Sequence, residues 1–404
     1  MSEWKEKYLT DFSILNYGDN LPSTSLKPYG YKVFGANGFI GFNDKYNLEK
    51  QTVLISCRGE YSGTINLVPE KTFVTNNSIP VCIKTNDVDT IFLFYKLQTL
   101  NKDQIVSGSA QPQVTINDLK KVKLTFPLIS TQRNISRILS TVDAVIENTQ
   151  AAIDKYKAIK QGMLHDLFTR GIDITTGKLR PKYEDAPSLY KESKLGMVPK
   201  EWEVEKLESL CSEKPTYGIN AAAVDFTHQL PTYIRITDID EEGNFSKKGR
   251  KCVDSPFASN YHLKKGDLVF ARTGATVGKT YLYNETEGLL VYAGFLIKVS
   301  PNTKMLDSDF MKFLTETPYY LNWVGLMSQR SGQPGINGNE YGSFLVPKPG
   351  FTEQINIAAK LLTFQGKIHT EQSYLQKLQS IKQGLMLDLL SGRKLVTGKE
   401  GQMA

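Results

Sequence analysis

The chain has 404 residues, 40% of them hydrophobic and 23% charged, a balance typical of soluble globular proteins and a length beyond one ordinary core. Its formal charge of +7 suits a polyanionic partner without demanding one. No apolar run approaches the ~20 residues of a membrane helix, residues 1–11 are too polar for a secretory signal, and Cys57, Cys82, Cys211 and Cys252 stand apart, as expected of reduced cytoplasmic thiols rather than a zinc site.

The first region, residues 1–128, carries short apolar stretches at 52–55 and 79–83 between Gly and Asn turns, which predicts a mixed domain of strands and short helices. A glycine-rich loop spans 34–41. Asn37, Arg58, Asn76, Asn77 and Gln111 lie in its turns and loops. Asn and Gln can fork onto adenine, and Arg and Lys onto guanine. Most such groups touch phosphate instead, and any one of them can equally be solvated surface.

From Gln132 the apolar residues Ile135, Ile138, Leu139, Val142, Val145, Ile146, Ile153, Tyr156, Ile159, Met163 and Leu167 follow steps of three and four. This is an amphipathic helix, expected within 129–172. At roughly 38 residues, or ~57 Å, it is long for a globular domain and needs a partner helix. Gly171 is placed to cap its end. Gly162 falls inside the pattern, where glycine costs ~1 kcal/mol relative to alanine. It marks either close approach of another backbone, from the paired helix or a partner subunit, or a local break of the helix.

Residues 173–200 are rich in Pro, Lys and Glu and are expected to be a solvated linker. Its Asp185, Glu192, Ser193 and Lys194 only faintly suggest a nuclease metal site. A second mixed domain follows at 201–350, with strand candidates at 232–236, 267–271 and 296–299. Its candidate DNA-contacting residues are Arg235, the loop cluster Lys247, Lys248, Arg250 and Lys251, then Arg272, Thr273, Lys279, Arg330 and Gln333. Arg272 follows a buried-looking strand, as Arg58 does in the first domain. The segment 274–280 resembles a phosphate-binding loop. It is one residue short between its glycines, and the following Tyr281-Leu282-Tyr283 reads as strand rather than helix. A tight turn between strands is the better reading.

The last helix, expected within 351–393 and followed by a tail at 394–404, repeats the first at an offset of 222 residues. Ile159-Lys160-Gln161-Gly162 recurs as Ile381-Lys382-Gln383-Gly384, Gln132 as Gln354, and Pro127 as Pro349. The match runs ungapped back to a polar loop before each helix, containing Gln111-Pro112 and Gln333-Pro334. Gly384 is the counterpart of Gly162, and Gly392 a second end cap. Trp4 and Leu9 open the first half at the spacing of Trp202 and Leu207. Between these ends the halves diverge. The chain is a direct duplication, and two like helices of one chain can pair antiparallel about a pseudo-two-fold axis. The expected fold is therefore α+β: two mixed domains separated by two long helices forming an antiparallel coiled coil. The four histidines are isolated, no Ser/His/Asp spacing stands out, and no Asn-Pro-Pro-aromatic methyltransferase motif is present.

These features resemble the specificity subunit of type I restriction-modification systems. The marks are the Gln-Pro loop, the Gln-x-x-Ile entry after Pro127 and Pro349, and the Ile-Lys-Gln-Gly ending, each present twice, with Gly196-Met197-Val198-Pro199 leading to Trp202. The first half lacks that Gly-x-x-Pro lead-in. The resemblance implies two target-recognition domains on double-stranded DNA, each reading half of a split site and placing one adenine for N6 methylation. It also implies helices that dock two modification subunits, to which two restriction subunits can add. No catalytic residue, metal or cofactor is expected on this chain. S-adenosylmethionine, ATP and magnesium are expected on the partner subunits. The alternatives are a non-catalytic coiled-coil scaffold and a nucleotide-binding enzyme using the 274–280 loop.

Overall fold

The computed structural model describes residues 4–108, 111–329 and 334–394, which form two units: Met1–Ala151 with Gln372–Ala404, and Ala152–Glu371. In the first, an antiparallel sheet has the order Ser13–Leu15, Ser78–Ile83, Thr52–Ser56, Ile65–Val68. A second sheet pairs Gly38–Asn43 with Tyr31–Gly35, which runs parallel to Phe73–Val74. Lys5–Tyr8 pairs with Lys123–Phe126. The central strand Thr52–Ser56 is buried along its whole length, so its continuous apolar run is that of an interior strand.

The second unit repeats this plan. Its first sheet has the order Thr216–Tyr217, Leu296–Val299, Leu268–Ala271, Thr280–Leu282. Its second places Lys251–Val253 beside Thr232–Ile234, which runs parallel to Leu290–Tyr292, and adds the edge strand Ala223–Asp225. Glu203–Lys206 pairs with Leu345–Lys348. Both units are α+β, as expected.

The long helices run Ile129–Thr169 and Phe351–Leu390. In the first unit Ile135 and Leu139 share a core with Leu389 and Leu390, and Lys382 Nζ meets Asp143 Oδ1 at 2.6 Å. In the second, Leu164, Leu167 and Phe168 share a core with Ile357, Ala358 and Leu361, and Lys160 Nζ donates to Gln365 Oε1 at 3.1 Å. Rising numbers on one helix meet falling numbers on the other, so the pairing within each unit is antiparallel. Lys160 and Lys382 are repeat counterparts, and so are Asp143 and Gln365. One contact is thus the image of the other, as a two-fold repeat demands.

The shared glutamines hold each helix to its domain. Gln132 is fully buried; its Oε1 accepts from Asp89 N at 2.9 Å, and its Nε2 donates to Asp87 O and Pro127 O at 3.0 and 2.9 Å. Gln354 makes the same set with Asp307 N at 2.9 Å and with Met305 O and Pro349 O at 3.0 Å. Asp89 and Asp307 cap the helices Thr90–Gln98 and Ser308–Leu314 through Phe92 N and Phe310 N. A single side chain therefore ties the entry of a long helix to the start of a domain helix.

Gly171 and Gly392, with φ of +65° and +74°, end the two helices. A Cβ at Gly171 would stand 2.5 Å from the Trp202 ring, and one at Gly392 2.9 Å from Trp4, so each tryptophan seals a helix end. Arg180 forks onto Glu353 at 2.5 and 3.0 Å, and Trp202 Nε1 lies 3.3 Å from both Glu353 oxygens. The segment read as a solvated linker is therefore pinned by a buried ion pair, and it carries the hairpin Tyr190–Ser193 with Gly196–Pro199. Both helices run unbroken through Gly162 and Gly384, which removes the local-break reading: their backbone hydrogen bonds continue on either side of the glycine.

Candidate nucleic-acid interface

Each domain gathers three loops at one edge of its central sheet through the same backbone bonds. In the first, Gly18 N donates to Ser78 O at 3.1 Å and Asp19 N to Val74 O at 3.0 Å. In the second, Gly218 N donates to Leu296 O at 3.2 Å and Ile219 N to Tyr292 O at 3.0 Å. A Cβ at Gly18 or Gly218 would stand 2.4 or 2.3 Å from the facing carbonyls, so only glycine allows this approach. Cys57 N then donates to Asn77 O, and Gly59 N to Pro112 O; Arg272 N donates to Phe295 O, and Gly274 N to Pro334 O. Pro112 or Pro334, the 3-10 turn Gly59–Tyr61 or Gly274–Thr276, and the turn at Asn77 or Phe295 are thus locked together in both domains.

This frame changes one sequence equivalence. Arg58 and Arg272 do not occupy the same place: Cys57 matches Arg272, and Arg58 matches Thr273, because the backbone bonds align the two loops on Gly59 and Gly274. Neighbouring residues of extended chain point to opposite sides. Arg58 is exposed. Arg272 is half-buried, its guanidinium 5.0 Å from the Tyr217 ring and its Nε buried without a hydrogen-bond partner.

The largest difference between the domains lies in one hairpin. In the first, Tyr31–Gly35 and Gly38–Asn43 are joined by the tight turn Ala36-Asn37, and Asn37 is exposed at its tip. In the second, the corresponding strands Thr232–Ile234 and Lys251–Val253 are joined by an excursion over 235–250. Arg235 closes its base: Nε and Nη2 reach the two oxygens of buried Asp238 at 2.8 and 2.6 Å, and Nη2 lies 3.4 Å from Gly249 O. The Asp238 hydrogen bond holds the Arg235 guanidinium above its ordinary pKa. An inner turn follows, with Asn244 N donating to Asp240 Oδ1 at 2.8 Å and Ile239 bridging Phe245.

Among the sequence candidates, the structure brings Lys247, Lys248, Arg250 and Lys251 together at the outgoing arm of this excursion. Lys247 pairs with Glu287 at 3.2 Å and Lys251 with Asp225 at 2.6 Å, a contact that lowers the Asp225 pKa. Lys248 is exposed and, among the described residues, has no ion-pair partner. Arg250 lies over Phe226, its Cζ 3.6 Å from the ring centroid. Lys279 pairs with Glu241 at 2.6 Å. Asn76 and Asn77 are half-buried in the shared turn, Thr273 precedes the 3-10 turn Gly274–Thr276 without a side-chain hydrogen bond to it, and Gln111 is exposed. Arg330 and Gln333 lie outside the described residues. Gly162 and Gly384 sit on exposed helix surface, with no atom of this chain within 4 Å of a Cβ built there beyond the helix's own neighbouring backbone.

The phosphate-loop resemblance has a structural explanation. The segment forms a 3-10 turn and enters the strand Thr280–Leu282, so its N–H groups do not open a helix. A Cβ at Gly278 would stand 2.5 Å from Val324, which makes that glycine a packing requirement.

Sequence reasoning missed Tyr17 and Tyr217. They precede the matched glycines and are alike in exposure, 44% and 42%, beside the Arg58 and Arg272 loops. The only signal was the recurring Tyr-Gly pair, at an offset different from that of the helices. Phe226 was missed as well, since nothing local marks it as the platform of Arg250.

Residues 1–157 match a domain family described as "Type I restriction modification DNA specificity domain". The specificity subunit of the type I restriction enzyme MjaVIII from Methanocaldococcus jannaschii is 23% identical over 87% of this chain and 81% of its own length. A putative type I specificity subunit of Mycoplasma pneumoniae is 28% identical over 43% of this chain and 48% of its own. The crystal structure of a type I restriction-modification S subunit from M. genitalium superposes with a TM-score of 0.67 over 96% of each chain, at 17% identity. The family match covers residues 1–157, the repeat carries the same elements through the second domain, and over most of its length the chain is similar to type I restriction-modification specificity subunits.

Proposed function

We propose that this chain is the DNA-reading component of a type I restriction-modification complex and supplies no bond-making chemistry itself. Each domain reads one half of a bipartite site in double-stranded DNA. The paired helices set the distance between half-sites and dock two modification subunits, which carry S-adenosylmethionine and methylate one adenine in each half. Two restriction subunits, using ATP and magnesium, complete the cleaving form. The observation that carries this reading is a common backbone frame holding different side chains: Arg58 against Thr273, Asn77 against Phe295, a tight turn against the 235–250 excursion. A scaffold has no need for unlike loops on like supports.

The test exchanges residues 202–346 for the corresponding domain of another specificity subunit and maps methylated adenines with the modification subunits present. One half of the site changes and the other stays. A change in both halves, or in neither, refutes two independent readers. Methylation without sequence preference favours the scaffold.

A further inference from the structure

Arginine reads a base edge well when its guanidinium is already immobile and its donors are free. Arg250 meets both conditions. Its Cζ lies over the Phe226 ring, 3.6 Å from the centroid, and its guanidinium has no hydrogen-bond or ion-pair partner among the described residues. The other cations of the arm are engaged or differently placed: Lys247 with Glu287, Lys251 with Asp225, Arg235 with buried Asp238.

The mount is rigid. Phe226 follows the edge strand Ala223–Asp225, which pairs with Lys251–Val253 immediately after Arg250. Ser246 N donates to Asp238 O at 2.7 Å, and the Arg235–Asp238 fork fixes the other side of the arm. The inner turn is held against the body by Lys279–Glu241 and by the close approach of Gly243 to Thr280 O. Arg250 therefore projects from a braced loop whose ordering cost is met on folding.

We propose that Arg250, stacked on Phe226, is a specificity-determining residue of the second domain, and that its fork reads a guanine in the second half-site through O6 and N7. The inference rests on the DNA-reading function proposed above. Exposed Lys248 supplies a sequence-independent phosphate contact beside it. In the first domain the same hairpin ends in Ala36-Asn37, so this guanine reading has no counterpart there.

The test uses the full chain assembled with its modification subunits and a DNA library randomised across the recognition site, read by adenine methylation at base resolution. Wild type is expected to require guanine at one position of the half-site assigned to the second domain. Arg250→Ala is expected to relax that position by about 10- to 100-fold, and Arg250→Lys to relax it in part, because an ammonium on a flexible stem lacks the rigid planar fork. Phe226→Leu is expected to weaken the same preference less, by freeing the guanidinium. Lys248→Ala is expected to lower methylation of all sequences together. The first half-site reports folding, since its preference stays unchanged in every variant. The inference is overturned if Arg250→Ala reduces all sequences equally with a shallower salt dependence, which is a phosphate contact, or leaves the second half-site unaltered. It is also overturned if the variant loses first-half preference. A wild-type assembly that methylates with no preference refutes the DNA-reading function instead.

Discussion

Gln132→Ala and Gln354→Ala test the repeat as a physical object. Each substitution removes one buried amide and strands three main-chain groups: Asp89 N, Asp87 O and Pro127 O, or Asp307 N, Met305 O and Pro349 O. A buried group left unsatisfied costs about 1–3 kcal/mol. Three such losses do not add fully, because the shortened side chain leaves room for water to reach some of them. A loss of about 3 kcal/mol is expected for each. For a unit of this size that is roughly a 6–12 °C fall in its melting temperature. The two glutamines belong to different units, so calorimetry or native-state hydrogen exchange should show each variant weakening its own unit, by amounts agreeing within about 1 kcal/mol. If one variant is near neutral while the other is severe, the matched hydrogen bonds do not carry matched energy, and the account of the clamp is wrong.

Gly162→Ala and Gly384→Ala should each stabilise the isolated chain by about 1 kcal/mol, since the helix runs through both sites and a Cβ meets no other part of the chain. If these glycines admit a partner subunit, the same variants weaken its capture in titration calorimetry; unchanged capture removes the docking role. Glu353→Gln leaves the buried Arg180 without its principal countercharge, and a cost of about 3 kcal/mol is expected by urea titration, at the low end for a broken buried pair because Glu201 lies 3.7 Å away. A change below about 1 kcal/mol would show that Arg180 is compensated elsewhere. Arg235→Ala should act through stability, about 2 kcal/mol, by removing the guanidinium from buried Asp238, which keeps the main-chain N–H of residue 235; a half-site change at unaltered stability would make Arg235 a reader instead.

The sequence by itself determined the duplication, the two long helices and their caps at Gly171 and Gly392. All of these rest on local periodicity or direct repetition, and a helix is built from contacts three and four residues apart. It also set residues 274–280 apart from a phosphate-binding loop, from the glycine spacing and the strand-like Tyr281-Leu282-Tyr283 that follows. Only the tertiary structure decided that Gln132 and Gln354 are buried clamps, that Arg58 corresponds to Thr273, that Tyr17 and Tyr217 share a place, and that Arg235 is engaged while Arg250 stands free on Phe226. Those outcomes depend on strands distant in sequence coming into register, such as Thr232–Ile234 beside Leu290–Tyr292. A one-residue shift in such register turns a side chain from one face to the other, and no local pattern reports it.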